Sequence, residues 1–212
     1  MQPLPGDGFY AILDTGYVPG DRLPDVYLAL LNGGAVLVQL RAKEATTQQR
    51  IQILDTLVKL SPESSVPLVV NDDIDAALAF PRIGLHVGQD DLPVAQARER
   101  LGPERILGLS THSPAQAAEA ITQASLLSYF AVGPVFATPT KPDYTPVGLE
   151  LVRHVAGLNP PLPWFAIGGI KLHNAEQVIA AGVRGLVAVT DVLLAEDPAA
   201  VVTAYADQLA KV

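Results

Sequence analysis

The chain contains no cysteine. Disulfide frameworks, thiolate nucleophiles and cysteine-ligated zinc are therefore excluded together. Cations are scarce as well, with 14 Lys and Arg against 22 Asp and Glu and a net charge of -8. Nucleic-acid affinity draws on a positive field over the phosphate backbone, so that class of partner has no support and a small-molecule partner is expected. Apolar runs stay well short of the roughly 18 residues of a membrane span, and the opening "MQPLPGDGFY" has no basic segment followed by an apolar one. These absences predict a soluble, cytoplasmic protein with no membrane partner. What is present is 49% apolar residues in a chain of 212, enough for one substantial core and short for two. A single domain over 1–212 is the expectation.

Short apolar or β-branched runs recur at "FYAILD", "AVLVQL", "VPLVVN", "GLHVG", "ILGLS", "LSYFAVGPV", "PWFAIGG" and "GLVAVT", which makes eight strand candidates. Between them, helical spacing of apolar residues marks segments such as "QQRIQILDTLVKL", "IDAALAF", "PVAQARERL", "SPAQAAEAI", "AEQVIAAG" and "PAAVVTAYADQLAKV". The strands are apolar on both faces, as a parallel sheet buried under helices requires. Ser113-Pro114 and Asp197-Pro198 suit an N-cap followed by proline in the first turn, and Gly182 suits a helix end. Eight consecutive β-α units in a chain of this length predict an α/β protein, a (β/α)8 TIM barrel. An open doubly wound sheet binding a dinucleotide would carry a GxGxxG turn after its first strand, and "LDTGYVPGD" has none.

Chemistry in such barrels gathers at the C-terminal ends of the strands. Strand two ends in Gln39, Arg41 and Lys43; strand three in Asn71, Asp72 and Asp73; strand four in Gln89, Asp90 and Asp91; strand five in Ser110, Thr111 and His112. Strand six runs into "TPTK", strand seven into "GGI" and strand eight into "VT". Singly, Arg41 and Lys43 are ordinary surface charges, but residues 39, 41 and 43 share one face of an extended chain and so converge on one ligand. Asp73 and Asp90 read as helix N-caps. Asp72 and Asp91 end neighbouring strands, about 4.8 Å apart in a barrel wall, and together suit one hard cation. With the nearby cations and the hydroxyl-rich loop, that pair suggests a pyrophosphate bridged by magnesium. "IGG" and "VAVT" occupy the place where barrels often hold a phosphate on main-chain N–H groups, although a glycine pair alone also serves any tight turn. Two anion sites are thus implied. The four histidines follow no metal-ligand spacing: His154 and His173 read as surface residues, His86 as packed within a strand, and His112 is open between the two roles. Trp164 and Phe165 read as core or barrel wall.

"QLRAK", "VVNDDIDAALAF", "GLHVGQDDLP", "LGLSTH", "VGPVFATPTK", "FAIGGI" and "VAVT", in this order, resemble thiamine phosphate synthase from about residue 9 to residue 192. The resemblance implies a (β/α)8 transferase of thiamine biosynthesis. It would join a 4-amino-2-methylpyrimidine carrying a methyl diphosphate to a hydroxyethylthiazole phosphate and release pyrophosphate. It further implies that Gln39, Arg41, Lys43, Asn71, Ser110 and Lys141 hold the pyrimidine diphosphate, with Arg41, Lys43, Ser110 and Lys141 catalytic. Asp72 and Asp91 would ligate Mg2+, and Thr138, Pro139, Thr140, Gly169, Val189 and Thr190 would contact the thiazole phosphate. Position 190 is usually serine in that family and is threonine here, which keeps the hydroxyl and adds a methyl. A homo-oligomer is compatible with this reading. The alternative within the fold is a thiazole tautomerase or regulatory relative without ring-joining activity, which tends to lack the diphosphate and metal set. Outside it stand a non-catalytic phosphate-binding module and a Schiff-base aldolase using Lys43 or Lys141.

Overall fold

The computed structural model describes Leu4, residues 6–138 and residues 145–211. Eight parallel strands, β1 (Gly8–Asp14), β2 (Leu37–Arg41), β3 (Leu68–Asn71), β4 (Gly84–Val87), β5 (Leu107–Thr111), β6 (Tyr129–Val132), β7 (Trp164–Ile167) and β8 (Gly185–Ala188), pair in chain order, and β8 closes on β1. The register sets Asp14 beside Arg41, Asn71 beside His86, and Ala11 beside Ala188. This is the expected (β/α)8 barrel, with each run of apolar sequence buried on both faces.

The surrounding helices are α1 (Leu23–Asn32), α2 (Thr47–Leu60), α3 (Ile74–Leu78), α4 (Val94–Leu101), α5 (Pro114–Thr122), α6 (Gly148–Leu158), α7 (Leu172–Ala180), the short α8 (Thr190–Leu193) and α9 (Pro198–Leu209). Side chains start several of them by accepting an N–H the helix leaves unused. Ser113 accepts from Gln116 N, Asp197 from Ala200 N, and Asp73 from Ala76 N. Asp90 is not an N-cap: α4 begins behind Pro93, without a side-chain cap, and Asp90 is exposed. Gly182 follows α7 at φ 106°, a left-handed position that favours glycine. Among the described residues no helix is long and apolar enough to cross a membrane.

Two apolar cores result. The larger lies between the outer faces of the strands and the helices; the smaller fills the barrel with Tyr10, Ile12, Leu37, Val69, Ile106, Tyr129, Phe165 and Val187. Aromatic rings fit inside because glycine stands beside them on the next strand. A Cβ on Gly108 would lie 2.2 Å from Tyr129 Cζ, and one on Gly185 would lie 2.4 Å from Phe165 Cδ1. Tyr10, Tyr129 and Phe165 then meet edge to face, with ring centroids 5.3 to 5.7 Å apart, and plug the interior. Phe165 thus belongs to the interior, whereas Trp164 stacks on Phe130 on the other face.

Candidate active site

Above this plug a cavity opens at the C-terminal ends of the strands, and all eight strands line it. Tyr10 and Ile12 come from β1, Gln39 and Arg41 from β2, and Asn71, His86 and Ser110 from β3, β4 and β5. Ala131, Ile167 and Val187 come from β6, β7 and β8. The side chains divide by chemistry. The β2–β5 half is polar; the opposite half is walled by Pro134, Ile167, Gly168, Val187 and Val189, with hydroxyls only at Thr138 and Thr190. His112, open in the sequence, lines the cavity, and its Nδ1 lies 2.5 Å from the Gly133 carbonyl. Since a carbonyl only accepts, Nδ1 carries the proton.

Arg41 does not stand alone. Its Nη1 donates to Asp14 Oδ2, and the two side chains are 13% and 2% exposed. Asp14 Oδ1 also accepts from Gly16 N at 2.9 Å. A buried carboxylate thus holds the guanidinium in the cavity wall and compensates much of its charge, so the positive surplus is smaller than a count of cations suggests. Lys43 lies elsewhere than the alternation of 39, 41 and 43 requires. β2 stops at Arg41, and Lys43 is exposed in the following turn, outside the cavity lining. Arg50 on α2 braces this turn: it donates to the carbonyls of Ala42 at 3.0 Å and Lys43 at 3.1 Å, and pairs with Asp73 at 2.9 Å. It therefore ties the β2 exit to the β3 exit.

Asp72 and Asp91 are exposed at adjacent strand exits, Asp72 directly after β3 and Asp91 in the loop four residues beyond β4. Asp72 takes a left-handed φ of 63°, and its Oδ2 accepts from Asn71 Nδ2. Asp91 Oδ2 accepts from Gly88 N at 2.7 Å. Two solvated carboxylates suit a hard cation that keeps much of its water and completes its shell with phosphate oxygens. They do not make a self-sufficient cage: among the described residues no three His, Cys, Asp or Glu gather as a metal site.

On the far side, Gly168 and Gly169 take φ of 104° and 63°. Each is also closely packed, since a Cβ on Gly168 would lie 2.4 Å from Pro134 Cα and one on Gly169 2.6 Å from the Ala137 carbonyl. The glycine pair is thus required by the seating of the β6 exit on the β7 exit, where Val135 N and Phe136 N bond to the carbonyls of Ile167 and Gly168. Val189 and Thr190 are half-buried at the start of α8, whose leading N–H groups the helix does not use. Asp191 fixes that start by accepting from Tyr205 Oη at 2.7 Å and Leu172 N at 3.0 Å. Gly169 lies beside Gly168 but outside the lining set. Pro139, Thr140 and Lys141 lie outside the described residues.

A further set of lining residues escaped sequence reasoning. His86 is packed as expected, at 5% exposure, yet it also faces the cavity: Nε2 is 2.9 Å from Ser110 Oγ and Nδ1 is 2.8 Å from Tyr129 Oη. Tyr129 Oη is in turn 3.1 Å from Tyr10 Oη, to which Gln39 Nε2 donates. In the serine–histidine pair the second imidazole nitrogen meets a phenol, Tyr129, where a triad would place a carboxylate. Burial pushes the Tyr129 phenol well above its ordinary range, so it stays neutral and offers no charge to stabilise an imidazolium.

The thiamine monophosphate synthase family model matches residues 9–192. A thiamine-phosphate synthase of Roseiflexus sp. (strain RS-1) is 41% identical over 201 residues, covering 93% of this chain and 84% of that protein. One of Arthrobacter sp. (strain FB24) is 44% identical over 212 residues, covering 90% and 89%. Among solved structures, a thiamine phosphate pyrophosphorylase from Pyrococcus furiosus superposes with a TM-score of 0.85 at 31% identity, covering 97% of this chain and 96% of that one. The residues that wall the mouth of this barrel thus stand in a chain that belongs to the thiamine monophosphate synthase family.

Proposed function

We propose that the barrel mouth joins an aminopyrimidine bearing a methyl diphosphate to a thiazole phosphate, forming thiamine phosphate and pyrophosphate. The observation that carries this reading is the division of the cavity into a polar half with Gln39, Arg41, Asn71 and Ser110 and an apolar half ending in Thr138, Val189 and Thr190. Family membership supports it independently. The carbon–oxygen bond of the diphosphate ester breaks, its electron pair leaving on the diphosphate oxygen. The pyrimidinylmethyl cation, stabilised by the ring amino group, is captured by the thiazole nitrogen lone pair. No protein nucleophile is required, in keeping with a Ser110–His86 pair whose second imidazole nitrogen meets the Tyr129 hydroxyl. Arg41, held by Asp14, faces the charge that grows on the leaving group, and Asn71 and Ser110 bind alongside it. Lys43, exposed in the turn after β2, and Lys141, which lies outside the described residues, complete the cationic set in this reading. Gly169, Val189 and Thr190 offer main-chain N–H groups to the thiazole phosphate; Thr138, which lines the same half, and Pro139 and Thr140, outside the described residues, belong to this set in the same reading. Asp72 and Asp91 would hold Mg2+, which when bound neutralises part of the diphosphate charge.

Purified protein mixed with both phosphorylated rings and magnesium is expected to release thiamine phosphate and pyrophosphate; tight binding of both rings without product would make the protein a binding module. Lys141→Ala is expected to lower turnover by about 10²-fold with the unfolding midpoint unchanged. A midpoint several degrees lower would make the lysine structural. Asp72→Ala is expected to shift the magnesium titration of activity to higher concentration; an unaltered titration removes Asp72 from the ligand set.

A further inference from the structure

The five polar groups from Gln39 to Ser110 form an unbroken chain across the cavity floor: Gln39, Tyr10, Tyr129, His86, Ser110. Its direction follows from the donor inventory of each group. An amide nitrogen only donates, so the Tyr10 oxygen accepts from Gln39 Nε2, and Tyr129 Oη is the acceptor within reach of the single Tyr10 proton. In that order the Tyr129 proton goes to His86 Nδ1, which is then the bare nitrogen. A neutral imidazole consequently carries its proton on Nε2 and donates it to Ser110 Oγ. The Ser110 proton is left for the cavity that Ser110 lines, and Gln39 Oε1 is the amide atom left for a ligand. Tyr10 and Tyr129 are 1% and 0% exposed, and burial pushes both phenols up, so both keep the protons on which this order depends.

We propose that Tyr10, Tyr129 and His86 are positioning residues that couple the two ends of the chain, so that Gln39 presents a carbonyl when Ser110 presents an O–H, selecting an aminopyrimidine over an oxopyrimidine. The proposal rests on reading the β2–β5 half as the pyrimidine diphosphate site. An exocyclic amino group donates to the Gln39 carbonyl as it stands. An oxo group there needs Gln39 turned over, and the turned amide offers Tyr10 an acceptor, which reverses every bond as far as Ser110. The misfit at one atom therefore involves four further groups. Buried hydrogen-bonding groups left without partners are the strongest source of such discrimination.

The test compares binding of the 4-amino and 4-oxo forms of 2-methylpyrimidine methyl diphosphate by calorimetry, in wild type, Tyr129→Phe and Tyr10→Phe. The wild type is expected to favour the amino form by about 10²-fold, and each variant to bring the ratio within about tenfold by interrupting the chain. A merely structural role would weaken both ligands alike. An unchanged ratio in the variants, or equal binding by the wild type, overturns the proposal. Nitrogen chemical shifts of His86 in the unliganded wild type give a second readout that needs no variant. Nε2 is expected to be protonated and Nδ1 bare, and the opposite tautomer overturns the assigned direction. Because these readouts need no turnover, selective binding without product would instead count against the ring-joining reaction.

Discussion

Replacing Arg41 with alanine is expected to lower kcat/KM for thiamine phosphate formation by about 10²- to 10³-fold and to cost about 3 kcal/mol of unfolding free energy. On the proposed reaction, the first effect follows from loss of a fixed cation at the leaving diphosphate. The second follows from Asp14, 2% exposed, which would be left buried without the guanidinium that answers it. The two losses are separable. In the double variant Asp14→Asn, Arg41→Ala no net charge is stranded, and the asparagine oxygen still accepts from Gly16 N. Denaturant titration should then return to within about 1 kcal/mol of wild type while turnover stays low. Wild-type stability in the single variant would mean that water reaches Asp14 freely, and wild-type turnover would remove Arg41 from the diphosphate.

The other large effect concerns Gly168. A Gly168→Ala substitution places a side chain at φ 104° and drives its Cβ to 2.4 Å from Pro134 Cα, which is backbone and cannot rotate away. Left-handed strain and overpacking together are expected to cost about 3–4 kcal/mol, a midpoint lower by about 10 °C in a chain of this size. The two hydrogen bonds that seat the β6 exit on β7 would stretch, and Thr138, just beyond them, would move. KM for the thiazole phosphate should therefore rise while that for the pyrimidine diphosphate stays near wild type. An unchanged midpoint would show that the two exits separate easily.

The barrel was legible because each strand is a short apolar run and the intervening segments keep helical spacing. Helices α1 and α6 were harder to see, since both begin beside proline- and glycine-rich stretches, "VPGDRLP" and "YTPVG". At the site, the alternation rule carried Gln39 and Arg41 to the cavity and failed for Lys43, because a period of two holds only while the backbone stays extended. Asp14 ends β1 as plainly as Asn71 ends β3, so the same strand-end rule, applied to the first strand, would have found it. Tyr10 and Tyr129 are different. In sequence they are unremarkable strand formers, and their meaning lies in hydroxyls that meet across 119 positions. Asp90 resembled a cap because aspartate before a helix usually is one, whereas Pro93 had already set the start of α4.

The aromatic plug beneath the cavity bears on traffic. With Tyr10, Tyr129 and Phe165 stoppering the tube, the described residues close the cavity from below. A ring resting on the Gln39 side of the floor therefore lies against aromatic rings below and can exchange only with what stands above it.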